Sequence, residues 1–327
     1  MLRNGSEIDI VARDLRRLGY SCISIRYPTN DSKRSVDLVV SDDSHTRVIV
    51  RITREISARR RDFIELKRIS ELLSINALIV ADKYNKEELI DNVLYLRDRI
   101  GIITKKTLHA YSMGDKVLVY EYKGVYYVKI NGEKLRELRT KKRIGASMLA
   151  KAIGISSRAL HQYEQGAMNM RIEVAERLLE VLGPEFENVL ENLDIMKFRI
   201  VSEKSSEIAN PSSSSERCSD EVCKIVNKMN REGIRAASFS SMPSDVVAKY
   251  GDLKAFVSLI DSRIDDSDAQ IKLRENYKLA KELGGLPLSL VLSRNRSEIV
   301  HEAEQFSEVV VSNPLDIVNV LKQETRR

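Results

Sequence analysis

The chain has 327 residues, of which 43% are hydrophobic and 31% are charged, and its formal net charge is +6. This length exceeds one ordinary hydrophobic core, so we expect two or three globular domains. No apolar stretch follows the charged amino terminus, which excludes a signal peptide, and no apolar run is long enough to span a membrane. We expect a soluble, cytoplasmic protein whose mild positive charge suits a polyanionic partner or an ordinary solvated surface.

The first hundred residues predict an α/β domain, because amphipathic helical patterns alternate with β-branched runs. A polar turn at residues 41–46 separates two of these runs, which predicts a β-hairpin. We place this domain at residues 1–112. Its expected helices cover residues 6–18, 58–74 and 86–98, and its expected strands cover residues 20–26, 36–40, 47–53, 77–81 and 100–103.

A second hairpin pattern follows at residues 117–130. Lys123-Gly124 separates two short runs that are rich in valine and tyrosine, and such a pair of runs favours a tight turn between two strands. We interpret residues 113–130 as a connector that joins the α/β domain to a helical unit.

Residues 131–184 predict that helical unit, which is built around a sharp turn. Gly154 ends its second helix in a left-handed conformation, Ile155 packs into the core, and Ser156 caps the third helix. Two short helices at this spacing are typical of a helix-turn-helix, whose second helix lies in the major groove of DNA.

The third helix of this unit, residues 157–165, carries the candidate DNA-reading side chains. Leu160 and Tyr163 face inward, which turns the polar residues outward. Arginine can bond guanine through two hydrogen bonds, glutamine can do the same with adenine, and serine can bond either base. The candidates for base reading are Ser157, Arg158, His161 and Gln162, and the candidates for phosphate contacts are Arg136, Arg139, Lys141, Lys142 and Arg143.

The last hundred residues repeat the element order of the first hundred and predict a second α/β domain at residues 218–327. We interpret the two domains as a diverged duplication that flanks the helical unit. A polar, serine-rich segment at residues 202–216 makes residues 185–217 an expected flexible linker. The expected helices cover residues 219–231 and 268–283 with a closing helix from residue 314, and the expected strands cover residues 234–239, 255–260, 287–292 and 308–311.

The helical unit resembles the XRE-type helix-turn-helix of the Cro and phage-repressor class. The landmarks that carry the resemblance, in matching order and spacing, are Arg139, Leu149-Ala150, Gly154-Ile155-Ser156 and Glu164-Gln165-Gly166. Gly145 departs from the pattern, because a serine or threonine often begins the second helix. The resemblance implies a five-helix fold and a base-reading role for Ser157, Arg158 and Gln162.

The element order of the first domain resembles the restriction-endonuclease-like fold. Active members carry an aspartate on one strand and Glu-x-Lys about a dozen residues later, and these groups hold Mg²⁺ and activate water. Asp37 takes the first place, but residues 51–53 read Arg-Ile-Thr where Glu-x-Lys is expected. In the second domain Asp252 begins the motif, and the strand at 256–260 has no carboxylate. The resemblance implies inactive nuclease-like folds, with Glu55 as the residue that could restore the first site.

No cofactor or metal site is expected. The sequence has no glycine-rich phosphate loop, its four histidines are dispersed, and it identifies no small-molecule effector. The three cysteines are too few for a disulfide framework, and we expect ordinary thiols at Cys22, Cys218 and Cys223.

The whole layout resembles a group of archaeal HTH-type transcriptional regulators. The resemblance implies a sequence-specific regulator that binds double-stranded DNA and is not an enzyme, with residues 157–165 in the major groove. We expect a homodimer that reads half-sites about one helical turn apart, with dimer contacts from the flanking domains. Two alternatives stay open: a structure-selective, nuclease-like DNA-processing enzyme that uses the flanking domains, and a protein-interaction adaptor.

Overall fold

The computed structural model describes residues 4–44, 46–198, 219–292, 297–307, 309–313 and 316–324. The chain divides into two compact units, of which the first combines Met1–Lys86 with Ile200–Arg327 and the second is Glu87–Arg199. The first unit therefore unites segments from both ends of the chain. Its amino-terminal part ends at Lys86, whereas the expected first domain runs to residue 112. None of the described helices is long and apolar enough to cross a membrane.

The amino-terminal part of the first unit is a small sheet with two helices. Its elements are α1 (Asn4–Arg17), β1 (Ser21–Ser24), β2 (Leu38–Ser41), β3 (Arg47–Ile52), β4 (Glu55–Ile56), α2 (Arg61–Leu73), β5 (Asn76–Val80) and β6 (Lys83–Tyr84). The strand order is β1-β2-β3-β5, in which the first two pairs are antiparallel and β3 and β5 are parallel, and the short strands β4 and β6 form a separate parallel pair. Strands β2 and β3 are largely buried because α1 and α2 pack against this sheet.

The second unit joins strands to the predicted helical segment. Its elements are β7 (Glu87–Glu88), β8 (Val93–Arg97), β9 (Ile100–Ile103), α3 (Lys105–Ser112), β10 (Val119–Tyr122), β11 (Val125–Val128), α4 (Gly132–Lys141), α5 (Ala146–Ala152), α6 (Ser157–Glu164), β12 (Met170–Arg171), α7 (Ile172–Leu182) and a 3₁₀ helix (Pro184–Val189). The strand order is β9-β8-β10-β11-β12. The hairpin β10–β11 therefore belongs to the sheet of this unit and is not a separate connector.

The expected helix at residues 86–98 is wrong. Val93–Arg97 forms β8, and the chain returns through Asp98-Arg99 as the antiparallel strand β9. Both turn residues have positive φ values, 49° and 68°, which is the conformation of the two-residue turns that close hairpins. The sequence of β8 (Val-Leu-Tyr-Leu-Arg) suits a buried strand, because β-branched and aromatic side chains pack well on a pleated surface.

The carboxy-terminal part of the first unit is a second sheet with helices. Its elements are α8 (Asp220–Arg231), β13 (Arg235–Ser238), β14 (Val246–Tyr250), β15 (Leu253–Ile260), α9 (Asp266–Glu282), β16 (Leu286–Val291), α10 (Ser297–Phe306), β17 (Val309–Val311) and α11 (Asp316–Glu324). The strand order is β13-β14-β15-β16-β17. Strands β13 to β16 repeat the order and directions of β1, β2, β3 and β5, with two antiparallel pairs followed by a parallel pair. The predicted duplication is confirmed at the level of topology.

Strand β14 is missed by the sequence pattern, and this changes the position of the aspartate in the second half. Asp252 lies in the turn between β14 and β15, so its expected place at the start of the motif is wrong. Asp245 directly precedes β14, as Asp37 directly precedes β2. Asp37 donates its backbone N–H to Val50 O at 2.9 Å, and Asp245 donates its own to Val257 O at 2.8 Å. Asp245 is therefore the structural counterpart of Asp37.

The two halves of the first unit pack together through α2 and α9. Helix α2 packs against β13 and β14, and helix α9 packs against β2 as well as its own sheet. A buried glutamate on each helix accepts backbone hydrogen bonds from the segment that follows the first strand of the other half. Glu65 accepts the backbone N–H of Ser240 at 2.7 Å and of Ser241 at 3.1 Å, and Glu275 accepts the N–H of Arg26 at 2.8 Å. The halves thus form an internal pair with matching contacts.

The expected linker at residues 185–217 overlaps packed structure in the second unit. Phe186 and Val189 of the 3₁₀ helix are buried, and so is Leu193, whose N–H donates to Val117 O at 2.9 Å. Residues up to 198 are therefore part of the folded unit. The serine-rich segment that gave rise to the prediction lies outside the described residues.

The cysteines differ from one another. Cys22 is a free, half-buried thiol, and burial raises its pKa to about 11. Cys223 is disulfide-bonded, so the expectation of an ordinary thiol is wrong for this residue. Cys218 lies outside the described residues.

Candidate nucleic-acid interface

Helices α5 and α6 meet at a sharp turn that the local sequence enforces. Gly154 has a φ of +69°, which favours glycine because it has no Cβ. Ser156 caps α6 by accepting the N–H of Ala159 at 3.1 Å, whereas Gly145 at the start of α5 makes no side-chain cap. The predicted turn and cap are confirmed.

Helices α4 to α7 share one hydrophobic core. Val128 of β11 and Phe186 and Val189 of the 3₁₀ helix belong to the same core. The helical unit comprises four α-helices and one 3₁₀ helix. Its most deeply buried members are Leu135, Leu149, Ile153, Leu160, Met170, Leu178 and Leu182. Because the inner face of α6 is fixed in this core, the direction of its outer face is fixed as well.

Gly132 allows α4 to approach α6 closely. A Cβ on this residue would lie 2.5 Å from the backbone oxygens of Tyr163 and Glu164, a distance that forces the helices apart. Asn131 caps the same end of α4 by accepting the N–H of Lys134 at 3.0 Å. The sequence does not reveal this close approach, because an Asn-Gly pair is also typical of a turn.

Arg139 joins α4 to the end of α6. Its Nε and Nη2 bond the two carboxylate oxygens of Glu164 at 2.6 and 3.2 Å, and its Nη1 donates to Ile144 O at 3.0 Å. The side chains of Arg139 and Glu164 are only 13% and 6% exposed. This bidentate pair gives Arg139 a structural role, and it therefore does not belong with the predicted phosphate contacts.

The outer face of α6 brings the four base-reading candidates together. Ser157, Arg158 and His161 are exposed and Gln162 is half-buried, while Leu160 on the inner face is buried. Within the described part of the chain the side chains of these candidates make no hydrogen bond or ion pair. They span about 8 Å along the helix axis at 1.5 Å per residue. The face is therefore compact, polar and free to bind.

The predicted phosphate contacts fall into two groups. Three of them are exposed and have no ion pair among the described residues: Arg136, Lys141 and Arg143. Lys142 instead pairs with Glu185 at 3.1 Å on the surface. Lys151 is exposed on α5, opposite the buried Leu149, and the sequence pattern did not identify it as a candidate. It is a further candidate for a phosphate contact, because the helix before a recognition helix crosses the DNA backbone.

A second cluster of charged side chains surrounds Asp37 in the first unit. Asp37 Oδ2 lies 2.7 Å from Arg51 Nη1 and accepts the backbone N–H of Ile52, also at 2.7 Å. Arg51 Nε lies 3.4 Å from Asp62, and Arg34 Nη1 lies 3.8 Å from Asp37 Oδ1. Burial raises the pKa of the Asp37 carboxyl, and the neighbouring Arg51 opposes that rise.

In the second half the basic side chain that contacts the aspartate comes from a helix and not from the neighbouring strand. Asp245 Oδ2 accepts the backbone N–H of Leu259 at 2.6 Å, which is the equivalent of the Ile52 bond. Ser258 occupies the β15 position that corresponds to Arg51, and Lys272 of α9 supplies the cation at 2.6 Å from Asp245. A basic side chain therefore contacts the aspartate in each half.

Residues 132–185 match the family model of a helix-turn-helix domain. The chain carries a helix-turn-helix domain. The matched residues begin with α4 and end at the 3₁₀ helix, so they include the turn at Gly154 and the whole of α6.

The chain is also similar to archaeal proteins whose names mention a helix-turn-helix. They are called "Putative HTH-type transcriptional regulatory protein". One from Aeropyrum pernix is 31% identical over 188 residues, which cover 57% of this chain and 56% of the relative. One from Pyrococcus abyssi is 24% identical over 325 residues, which cover 97% of this chain and 97% of the relative. One from Sulfolobus acidocaldarius is 26% identical over 322 residues, which cover 95% of this chain and 97% of the relative. The expected resemblance to archaeal HTH-type regulators is confirmed. No solved structure matches.

Residues 5–118 match the family model of a PD-(D/E)XK superfamily domain, which confirms the nuclease-like resemblance of this segment. Mg²⁺ in such a domain needs convergent carboxylate oxygens. Here a guanidinium contacts Asp37, and the described residues contain no group of three His, Cys, Asp or Glu side chains placed to hold a metal. Glu7, Asp31 and Arg51 line a cavity beside Asp37, and Glu55 of β4 is not among the residues that line it. The residues present do not fit Mg²⁺.

Proposed function

We propose that this protein is a sequence-specific transcriptional regulator that binds double-stranded DNA through its helix-turn-helix domain, with α6 in the major groove. The observation that carries the proposal is the outer face of α6, which is polar, largely exposed and without internal partners in the described chain. The names of the archaeal relatives support the same function. We place the protein in the cytoplasm, where it meets DNA.

The side chains of α6 have the chemistry that base reading requires. Arg158 can donate two hydrogen bonds to guanine O6 and N7, and Gln162 can bond adenine N6 and N7. Ser157 and His161 can each bond a base or a neighbouring phosphate. Arg136, Lys141, Arg143 and Lys151 supply phosphate contacts that orient the domain, and these contacts carry no sequence information.

We propose that two protomers bind as a homodimer at half-sites about one helical turn apart, because one such unit buries little DNA surface. Helices α2 and α9 already pair the two halves within one chain. The faces of α2 and α9 that make these contacts are therefore not available to a second protomer. A sedimentation experiment that shows a monomer both free and on its DNA site would contradict the homodimer.

The exchange of both base-reading side chains tests the proposed function. Arg158→Ala is expected to cost about 1–3 kcal/mol of binding free energy at one base pair, and Gln162→Ala a similar amount at another. We therefore expect wild type to retain a few genomic fragments that share a two-fold motif, and the double variant to lose that enrichment. The measurement is sequencing of the fragments that the immobilised full chain retains.

Lys141→Met is the matched control, because it removes one exposed cation of the same domain without changing α6. It should weaken binding to all fragments alike and leave the motif unchanged. If wild type and double variant retain the same fragments, α6 does not read bases. If neither retains any fragment, the adaptor alternative replaces the proposal.

We propose that the PD-(D/E)XK domain does not cleave DNA, because Arg51 occupies the position beside Asp37. Supercoiled, linear and branched DNA should stay intact after incubation with the full chain and Mg²⁺ or Mn²⁺. The match to this superfamily keeps a DNA-processing enzyme as the second candidate. Cleavage that depends on the metal and disappears in Asp37→Ala would establish that candidate, and gel electrophoresis distinguishes the two outcomes.

A further inference from the structure

Three basic residues stand side by side on neighbouring strands of the carboxy-terminal sheet. Arg235 of β13 is paired directly with Lys249 of β14, and Lys249 is paired directly with Lys254 of β15. Residues directly opposite each other in a sheet point to the same face, so the three side chains form one row. Neighbouring strands lie about 4.8 Å apart, which makes the row roughly 10 Å long.

Arg47 extends this row from the other half of the same unit. It is the first residue of β3, and its guanidinium lies so close to Gly284 that a Cβ there would be 2.9 Å from Nη1. Burial, together with the charges of Arg47 and Lys249, lowers the pKa of Lys254. These four cations form the basic row, which consists of Arg235, Lys249, Lys254 and Arg47.

The basic row has no acidic partner in the described part of the chain. None of its members forms an ion pair there, and the one internal bond of their side chains is from Lys254 Nζ to the carbonyl of Leu283 at 3.0 Å. Asp252 lies in the turn between Lys249 and Lys254 and pairs with neither. All four residues are half-buried, so their charges are less screened than those of fully exposed side chains.

The first half shows that the fold does not require two of these charges, those of Arg235 and Lys249. Ser21 of β1 and Ser41 of β2 hold the register positions that correspond to Arg235 and Lys249, and their hydroxyl oxygens are 2.8 Å apart. Like charges at directly opposed positions destabilise a sheet. At these two positions the second half therefore carries a repulsion that the first half replaces with a hydrogen bond, whereas Arg47 and Lys254 are equivalent and basic in both halves. The charges of Arg235 and Lys249 are thus not explained by folding, which indicates a role in binding an anion.

We infer that the basic row is a second DNA-contacting surface, which binds the phosphate backbone of duplex DNA. This inference rests on the proposed function, because a chain held on DNA by its helix-turn-helix domain presents the row to phosphates at a high effective concentration. A duplex carries one negative charge per about 1.7 Å of axis, so a row of 10 Å can meet several phosphates. The row reads no bases and adds affinity without sequence preference.

The row also lies apart from the nuclease-like cluster. Arg47 begins β3 and Arg51 is near its end, so the two are separated by about 13 Å along the strand at 3.3 Å per residue. A contact at the row therefore does not depend on Asp37 or Arg51.

The test replaces two cations with the serines of the other half, in Arg235→Ser/Lys249→Ser. Binding of the full chain to a random-sequence duplex is measured by fluorescence anisotropy over a range of KCl concentrations. We expect the slope of log K against log salt to become less steep by about 1.8, because each phosphate contact contributes about 0.9. The melting temperature should stay level or rise, since the variant removes a repulsion.

The matched control is Arg59→Ser/Arg61→Ser, which removes two exposed cations of the same unit that have no ion pair in the described chain. Its slope should equal that of wild type. An unchanged slope in Arg235→Ser/Lys249→Ser, or equal changes in both variants, would overturn the inference while leaving the helix-turn-helix proposal intact. Failure of wild type to bind any duplex would overturn both.

Discussion

Replacing Arg139 with methionine is expected to lower the free energy of unfolding of the helix-turn-helix domain by about 3–5 kcal/mol. The guanidinium and the Glu164 carboxylate are both largely buried and share two hydrogen bonds. Methionine preserves much of the apolar stem, but it leaves Glu164 as an uncompensated buried charge and removes the donor to Ile144 O. Hydrogen exchange of peptides from α4 and α6, followed by mass spectrometry, measures the change in this domain.

Lys142→Met provides the matched control on the same helix. Lys142 pairs with Glu185 at the surface, where water screens both charges, so its loss should change stability far less than the loss of Arg139. Arg139→Met/Glu164→Leu should recover much of the stability lost in Arg139→Met, because it removes both members of the buried pair. Equal losses in Arg139→Met and Lys142→Met would show that the Arg139–Glu164 pair does not hold the domain together.

The salt dependence of DNA binding separates structural from phosphate-contacting cations of this domain. At a temperature where Arg139→Met stays folded, its salt dependence of DNA binding should match that of wild type, because Glu164 and the Ile144 carbonyl already hold the Arg139 guanidinium. Lys141→Met should instead make the slope of log K against log salt less steep by about 0.9. A basic residue in this stretch can thus form a structural ion pair or contact a phosphate, and its contacts in the folded domain distinguish the two roles.

The helix-turn-helix was predictable because its determinants are local. The left-handed Gly154 and the cap at Ser156 act within a few residues of their own positions. The inward direction of Leu160 and Tyr163 follows from helical periodicity alone. Short-range chemistry therefore identified the turn, the recognition helix and the side chains on its outer face.

The features that the sequence concealed depend on distant partners. Glu164 lies 25 residues from Arg139, and nothing in the basic stretch around Arg139 reveals that it faces this carboxylate. Asp252-Leu253 looks locally like Asp37-Leu38, and only the pairing of β14 with β15 shows that Asp245 is the true counterpart. The basic row was invisible for the same reason, because its members become neighbours only through strand register.

Removal of the Glu65 carboxylate is expected to destabilise the first unit by about 2–5 kcal/mol in Glu65→Ala. Glu65 is buried and accepts four hydrogen bonds, from the hydroxyls of Ser35 and Ser240 and from the backbone N–H groups of Ser240 and Ser241. Alanine leaves two backbone donors between the halves without an acceptor, and each unsatisfied buried donor costs about 1–3 kcal/mol. Hydrogen exchange of peptides from α2 and β13 measures the loss.

The equivalent glutamate of the other half supplies the control for this prediction. Glu275 accepts one backbone N–H, from Arg26, and its other oxygen pairs with Lys278 at 2.6 Å. Glu275→Ala should therefore cost less than Glu65→Ala, about 1–2 kcal/mol for a single unsatisfied donor. A Glu65→Ala protein that is at least as stable as Glu275→Ala would contradict the asymmetry of the internal pair.

The pH dependence gives a second, independent test of Glu65. Burial raises its pKa above the usual glutamate value, so the folded unit keeps the proton to a higher pH than the unfolded chain does. The free energy of unfolding should therefore fall as the pH rises from the usual glutamate pKa to the raised one, and level off above it. Glu65→Gln has no proton to lose at this position, so subtracting its pH profile from that of wild type isolates this fall. If the free energy of unfolding of wild type relative to Glu65→Gln rises with pH over this interval, the four hydrogen bonds lower the pKa of Glu65 by more than burial raises it. The pairing of the two halves would then depend on the charged carboxylate.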